Sequence, residues 1–367
     1  MDDTSISELA RVALAIEAEE AKEAGALGYM ARVLTQATLP HRAQSSLQFM
    51  RRNGAFVLSI TALSPMGLPY GSIPRLLLSW MTTEAIRTQQ PVLELGPTLS
   101  AFMAELGLAR QGGERGDITR LRDQMKRLLC SAISCHYEDK GHDCGVGFNI
   151  ADRYDLWWNP KQPNQLPLWK STVTLGASFF KEITERPIPI DLRALKALKR
   201  SPLALDIYCW LTYRMSYLRK ETEIPWSALQ LQFGTDYDRT IDFKRCFLKQ
   251  LKFAQSIYDC AKVEEGKQGL ILKPSPSHIA PQSKPKQVLD ADTLPPPAAL
   301  PILSPAPVSP LLKTATYEKA HQAAPGFDVY ALEQAWREWI AKKGETPKNP
   351  DNAFIGFCRR KAQSKTT

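Results

Sequence analysis

Apolar positions at helical spacing, with a tryptophan at the centre of the stripe, occur twice in this chain of 367 residues. Ile73, Leu76, Leu77, Trp80 and Met81 make the first stripe; Ala204, Ile207, Tyr208, Leu211, Met215 and Leu218 make the second. Side chains three and four apart share a helical face, so each stretch predicts a helix with one buried side and Trp80 or Trp210 in its core. Ser72 before Ile73-Pro74 and Ser201 before Pro202 mark the starts. A hydroxyl there accepts a first-turn N–H, and a proline in the first turn gives up no helical hydrogen bond.

The segments after each of these helices repeat as well. The first pass reads helix Ser72–Gln89, strand Val92–Leu95, helix Leu99–Gly107 and basic helix Ile118–Ala132. The second reads Ser201–Leu218, Thr222–Ile224, Trp226–Gly234 and Thr240–Ala254. The pairs Trp80/Trp210, Ser100-Ala101/Ser227-Ala228 and Met125/Phe247 are offset by 130, 127 and 122 residues, shrinking because the second copy has shorter connections. Hairpin material comes after each basic helix: Ile133–Glu138 with Val146–Ile150, and Ala261–Glu265 with Leu270–Lys273. Helix, helix, basic helix, hairpin is the order of a winged helix, whose hairpin lies over a neighbouring minor groove or the phosphate backbone. The predicted fold class is α+β, mainly helical, with two tandem winged-helix domains.

The rest of the chain frames these units. Residues 1–40 form an acidic segment, with an Ala/Glu-rich helix over Ile6–Ala24 expected at the periphery. Residues 41–160 hold the first unit, with a strand from Phe56 to Thr61, a turn cluster at Gly67–Gly71 and a connector from Asp152 to Ser171. Residues 161–274 hold the second, opened by a strand at Thr172–Leu175. Eleven of the 27 prolines fall in 274–310, which makes 275–315 an extended linker that cannot form a ladder. Residues 316–367 read as a small helical module, with helices Val329–Lys343, carrying Leu332, Trp336 and Trp339 on one face, and Asn352–Gln363.

Charge changes the picture. The chain is net +9, but residues 1–30 hold seven acids against two bases, which leaves +14 for the remainder. A basic body suits a polyanion, and without an amphipathic lipid-facing stripe nucleic acid fits better than a membrane surface. No apolar run reaches the roughly 18 residues that cross a bilayer, and the acidic start has no secretory pattern. Seven cysteines without a C-x-x-C pair suit reduced thiols, and a bacterial cytoplasm is expected. The cluster Cys130, Cys135, His136, His142 and Cys144 lacks the paired knuckles of a zinc site, so neither metal nor cofactor is expected. There is no phosphate-binding G-x-x-x-x-G-K-[ST] loop, no paired histidines beside a tyrosine, and no acidic cluster for two-metal chemistry, which favours a non-enzyme.

The candidate chemistry sits on the basic helices. Ile118, Leu121, Met125, Leu128 and Leu129 take the core side of the first, leaving Thr119, Arg120, Arg122, Lys126 and Arg127 elsewhere, with Arg115 just before it. Phe243, Phe247 and Leu251 take the core side of the second, leaving Arg239, Lys244, Arg245, Lys249 and Lys252. Early positions of such a helix sit deepest in a major groove, so Arg120, Arg122, Lys244 and Arg245 are the expected base readers and later cations the phosphate clamps. One such helix alone suits a solvated charged face equally well; two in matching context point to duplex DNA. In the tail, Trp336, Trp339, Phe354 and Phe357, with Arg359 and Arg360, are candidates for a partner or single-strand contact, or for the module's own core.

The stretches Gly67-Leu68-Pro69-Tyr70-Gly71-Ser72-Ile73-Pro74-Arg75-Leu76-Leu77-Leu78-Ser79-Trp80, Ile118–Met125, Pro187–Leu195 and Ser201–Tyr208 resemble the plasmid-encoded RepA family of replication initiators, from about His41 to Pro274. That resemblance implies a bacterial plasmid protein that binds repeated duplex sites in its own origin and recruits host machinery. The implied partners are origin DNA, a host helicase, initiator or primase, and a second copy of the chain. The tail is similar to C-terminal modules of other replication proteins. Two other readings stay open: a winged-helix repressor of its own promoter, and a replication enzyme such as a primase or nickase.

Overall fold

The computed structural model describes residues 3–279, apart from 114–115, 140–141, 160, 168–169 and 235–236, together with parts of 316–363. The chain is mixed α and β and divides into two units, residues 1–294 and 295–367. Arg115, most of the Pro-rich segment and much of the predicted helix Val329–Lys343 lie outside the described residues.

The second copy runs through α8 (Pro202–Tyr217), β10 (Thr222–Pro225), α9 (Trp226–Phe233), α10 (Thr240–Gln255), β11 (Val263–Glu265) and β12 (Gly269–Leu272). Ser201 caps α8 by accepting from the Ala204 N–H at 3.2 Å, as its position before Pro202 requires. The three strands form one antiparallel sheet in the order β10-β12-β11. Aromatic rings fill the core: Phe247 lies 5.5 Å from Phe233, 5.5 Å from Phe243, 6.0 Å from Trp226 and 6.4 Å from Trp210. Gly234 ends α9 where a Cβ would come within 2.1 Å of the Phe243 ring, so a larger residue there would push the start of α10 off its core.

The first copy has the same order in α3 (Ser72–Thr88), β4 (Val92–Glu94), α4 (Leu99–Glu105), α5 (Asp117–Leu129), β5 (Ser131–Asp139) and β6 (His142–Asn149). Trp80 meets Phe102 edge-on at 4.9 Å, and its counterpart Trp210 meets Phe233 edge-on at 5.5 Å. In each copy the tryptophan fastens the long helix to the short one after it. Both indoles are buried, as the periodicity predicts.

The strands, however, pair differently. Here the hairpin extends a sheet with β2 (Gln48–Asn53) and β3 (Phe56–Ala62), in the order β2-β3-β5-β6. Phe49, Ile60, Ile133 and Phe148 line up across its buried face. β4 pairs instead with β8 (Thr172–Leu175), which also pairs with β7 (Ala151–Asp155). Thr172–Leu175 therefore joins the first copy, where the sequence suggests the opening of the second.

The N-terminal helix α1 (Asp3–Ala18) stops short of the expected Ala24, and the residues after it are not peripheral. β1 (Leu27–Met30) pairs with β9 (Ile188–Asp191), and α2 (Arg32–Gln36) buries Val33 and Leu34. α7 (Leu192–Leu198) packs on α1, and α6 (Ala177–Glu185) packs on α3 and β6. The Arg193 guanidinium ties α1 down, donating to the Ala15 and Glu19 carbonyls while paired with Asp191.

One buried knot joins the two copies. Arg75, in the first turn of α3, donates from Nε and Nη2 to the two carboxylate oxygens of Asp206 on α8, both at 2.7 Å. Its remaining N–H groups reach the Leu39, Pro40 and Gly71 carbonyls, so all five donors are satisfied. His41 Nε2 also meets Asp206, at 2.7 Å. Burial pushes the Asp206 carboxyl up, but Arg75 and His41 outweigh it and hold it below the ordinary value. Burial lowers His41 to about 4, so the imidazole is neutral and donates to the carboxylate.

In the second unit, α11 (Pro350–Gln363) packs Phe354, Phe357 and Cys358 against Leu332, Trp336, Ile340, Ala320 and Ala324.

Candidate nucleic-acid interface

α10 presents the clearest cationic face. At about 100° per residue, Ile241, Arg245, Lys249 and Lys252 fall within about 80° of one another, roughly opposite the buried Phe243, Phe247, Leu251 and Ala254. Arg245 is 83% exposed and Arg239, at the N-cap, 72%. Asp242 accepts from Arg245 at 3.1 Å and lies 3.8 Å from Arg239, so one carboxylate sits between two guanidiniums in the first turn. Lys249 and Lys252 are exposed and have no hydrogen-bond or ion-pair partner among the described residues.

Lys244, an expected base reader, is placed otherwise. Its ammonium pairs with Glu265 on β11 at 2.6 Å and lies over the Trp226 ring at 5.1 Å. It fastens α10 to its own hairpin. The signal was legible: Glu264 and Glu265 place two carboxylates on a hairpin beside a basic helix. At the hairpin's turn Lys267 is exposed and outside every ion pair among the described residues.

The first copy spends its cations differently. Arg127 bonds Asp123 at 2.8 Å, lies over the Tyr70 ring at 5.5 Å and reaches the Leu68 carbonyl. That guanidinium holds the Gly67–Gly71 turn against α5. Arg120 pairs with Asp117 at 3.0 Å, and the Thr119 hydroxyl donates to the Gly113 carbonyl at 2.8 Å. Arg122 and Lys126 have no partner among the described residues. They border a groove floored by Leu121 and Met125, with Tyr154, Leu156 and Trp158 opposite. By sequence, the tip of this hairpin holds Glu138, Asp139 and Asp143 against Lys140. Residues 140–141 at that tip lie outside the described residues.

In the tail unit, Trp336 and Phe354 are fully buried, with ring centroids 5.2 Å apart, and Phe357 is buried beside them. These three rings form the module's own core and cannot stack on a base. Trp339 is 42% exposed and packs at 6.1 Å on Phe357, while Arg359 and Arg360 are exposed.

Among the described residues no group of three His, Cys, Asp or Glu is placed to hold a metal ion, and no helix is long and apolar enough to cross a membrane. Cys135 is buried in the four-stranded sheet, and Cys130 Sγ lies 3.6 Å from the Tyr154 hydroxyl.

Ile241 was missed by the helix reading. It belongs to neither the core stripe nor the cations, yet it is 62% exposed among them. An apolar residue off the buried stripe of a basic helix is the signal that finds it.

No curated protein matches the chain. Among solved structures, the crystal structure of RctB domains 2–3, residues 155–483 of that protein, is 13% identical with a TM-score of 0.39, covering 66% of this chain and 96% of that one. A selenomethionine derivative of RctB domains 2 and 3 gives 14% identity and a TM-score of 0.41 over the same shares. The family model described as "plasmid encoded RepA protein" matches residues 68–227, from the turn before α3 to the start of α9. Over residues 68–227, which hold both tryptophan-centred helices, α5 and the Arg75–Asp206 pair, the chain is similar to the plasmid-encoded RepA family.

Proposed function

We propose that this chain is a non-enzymatic plasmid replication initiator that grips duplex origin DNA through two winged-helix units. The second copy supports the reading best: its sheet order, with the lone strand beside the hairpin's second strand, is that of a winged helix, and α10 then stands as its recognition helix. The observation that carries the reading is the outward stripe of Arg245, Lys249 and Lys252 on α10, with Arg239 at its start, in a chain of net charge +9. In this reading α10 reads bases, and Arg122 and Lys126 of α5 add backbone contacts in an adjacent turn of the duplex. Binding of both units bends the DNA and lowers the cost of opening A·T-rich sequence beside it. The tail, joined through the Pro-rich segment, recruits host replication machinery through Trp339, Arg359 and Arg360.

The test is a minimal replicon carrying this gene and its upstream DNA. The full chain is expected to protect a defined patch of that DNA from nuclease, and the replicon to stop copying without the gene. A defined footprint on a replicon that copies without the gene would make the protein a repressor. Nicks or primers from pure protein with Mg²⁺ and nucleotides would make it an enzyme.

A further inference from the structure

Ile241 is a large apolar side chain in the first turn of α10, 62% exposed, with Arg239 and Arg245 on either side of it in sequence. Scattered surface apolar residues need no explanation, but this one sits on the cationic face of the helix and turned away from its core. Isoleucine is no better than average as a helix former, so local propensity does not account for it there. Its neighbours have other engagements: Thr240 donates to Gln230, Tyr237 packs on Phe243, and Asp242 holds Arg245.

The chemistry that suits an apolar side chain amid guanidiniums is narrow. In a major groove the thymine C5-methyl is the apolar group offered at a base edge, and a guanine edge offers O6 and N7 to a guanidinium. Arg245 lies one helical turn from Ile241, so the two side chains meet neighbouring base pairs. Resting on the reading of α10 as the recognition helix, we propose that Ile241 packs on a thymine methyl, and that α10 reads a thymine beside a guanine taken by Arg245.

The full-length protein is used to select duplexes from a random-sequence pool, and each thymine of the enriched site is replaced in turn by deoxyuridine, which removes only the methyl. One such position is expected to lose about three- to five-fold in affinity, the worth of a buried methyl-sized group. Ile241→Ala, an exposed substitution whose folding is checked by thermal melting, is expected to bind the thymine duplex as weakly as the wild type binds the uracil one. It is also expected to lose its response to the methyl, and Ile241→Val to recover part of it. A wild type indifferent to uracil everywhere, or a penalty that survives in Ile241→Ala, overturns this assignment alone. Failure to enrich any duplex overturns the origin-binding reading and this assignment with it.

Discussion

In the second copy the lone strand β10 closes on its own hairpin, whereas in the first β4 turns away to β8 and the hairpin is built into a four-stranded sheet. The basic helices engage their cations at different places. Each ties one to the fold, Arg127 of α5 to a turn and Lys244 of α10 to its own hairpin, and each pairs one with a carboxylate of its own helix, Arg120 with Asp117 and Arg245 with Asp242, but Arg245 is 83% exposed against 57% for Arg120. Similar charge on neighbouring positions of one helix therefore does not mean similar work. A guanidinium over a tyrosine ring and on an aspartate is held by several contacts at once, and moving it to a phosphate forfeits all of them. Each basic helix thus has one cation built into the fold and two without a partner among the described residues.

Breaking the knot between the copies gives the largest expected effect. Arg75→Ala leaves Asp206 buried without its main partner, and Asp206→Ala does the same to Arg75; each should cost about 3–5 kcal/mol of stability by denaturant unfolding. Acid probes the same knot from another side. His41 binds a proton in the unfolded chain near 6.5 and in the folded one only near 4, so the unfolded state takes up more protons between those values. Stability should be full above about pH 6.5 and fall by on the order of 2–3 kcal/mol toward pH 4. Asp206, held below its ordinary value, adds a further loss as pH falls through the carboxylate range. His41→Gln should flatten the upper part of that profile, while an unchanged slope would place the titrating group elsewhere.

The comparison between basic helices is sharpened by paired substitutions. Arg245→Ala should weaken binding to the selected duplex by about 1–3 kcal/mol and relax one position of the site. Arg127→Ala should leave that preference intact and appear as lost stability; equal losses of sequence preference would break the division of roles. The smallest effect belongs to Lys249→Ala and Lys252→Ala. Each should weaken binding to all sequences alike and reduce the slope of log K against log salt by about 1.

The tryptophan-centred helices, both basic helices and both hairpins were legible because each carries its own period or turn chemistry within a few residues. Ser201 and Pro202 announce the start of α8 as plainly in sequence as in structure. What sequence did not carry was partnership at a distance. Leu27–Met30 becomes a strand because Ile188–Asp191 lies beside it, and nothing within four residues of Gly28 announces that pairing. The choice of β8 by β4 is likewise made by burial of Leu93 and Val173 in a shared core, which is absent from either segment alone. At the site, the cations could be named but not their engagements. Arg127 has Asp123 one turn before it, a partner that the spacing offers and Arg122 lacks, but the Tyr70 ring that also holds it lies more than fifty residues away. The tail aromatics were open between core and contact, and burial of Trp336 and Phe354 decides for the core.

The stretch shared with the family begins at residue 68, while the guanidinium at position 75 depends on carbonyls at 39 and 40. A fragment cut at the family limits would strand those donors, deprive β9 of its neighbour and omit α10 altogether. Excision experiments on this protein should therefore start no later than β1 and run past β12.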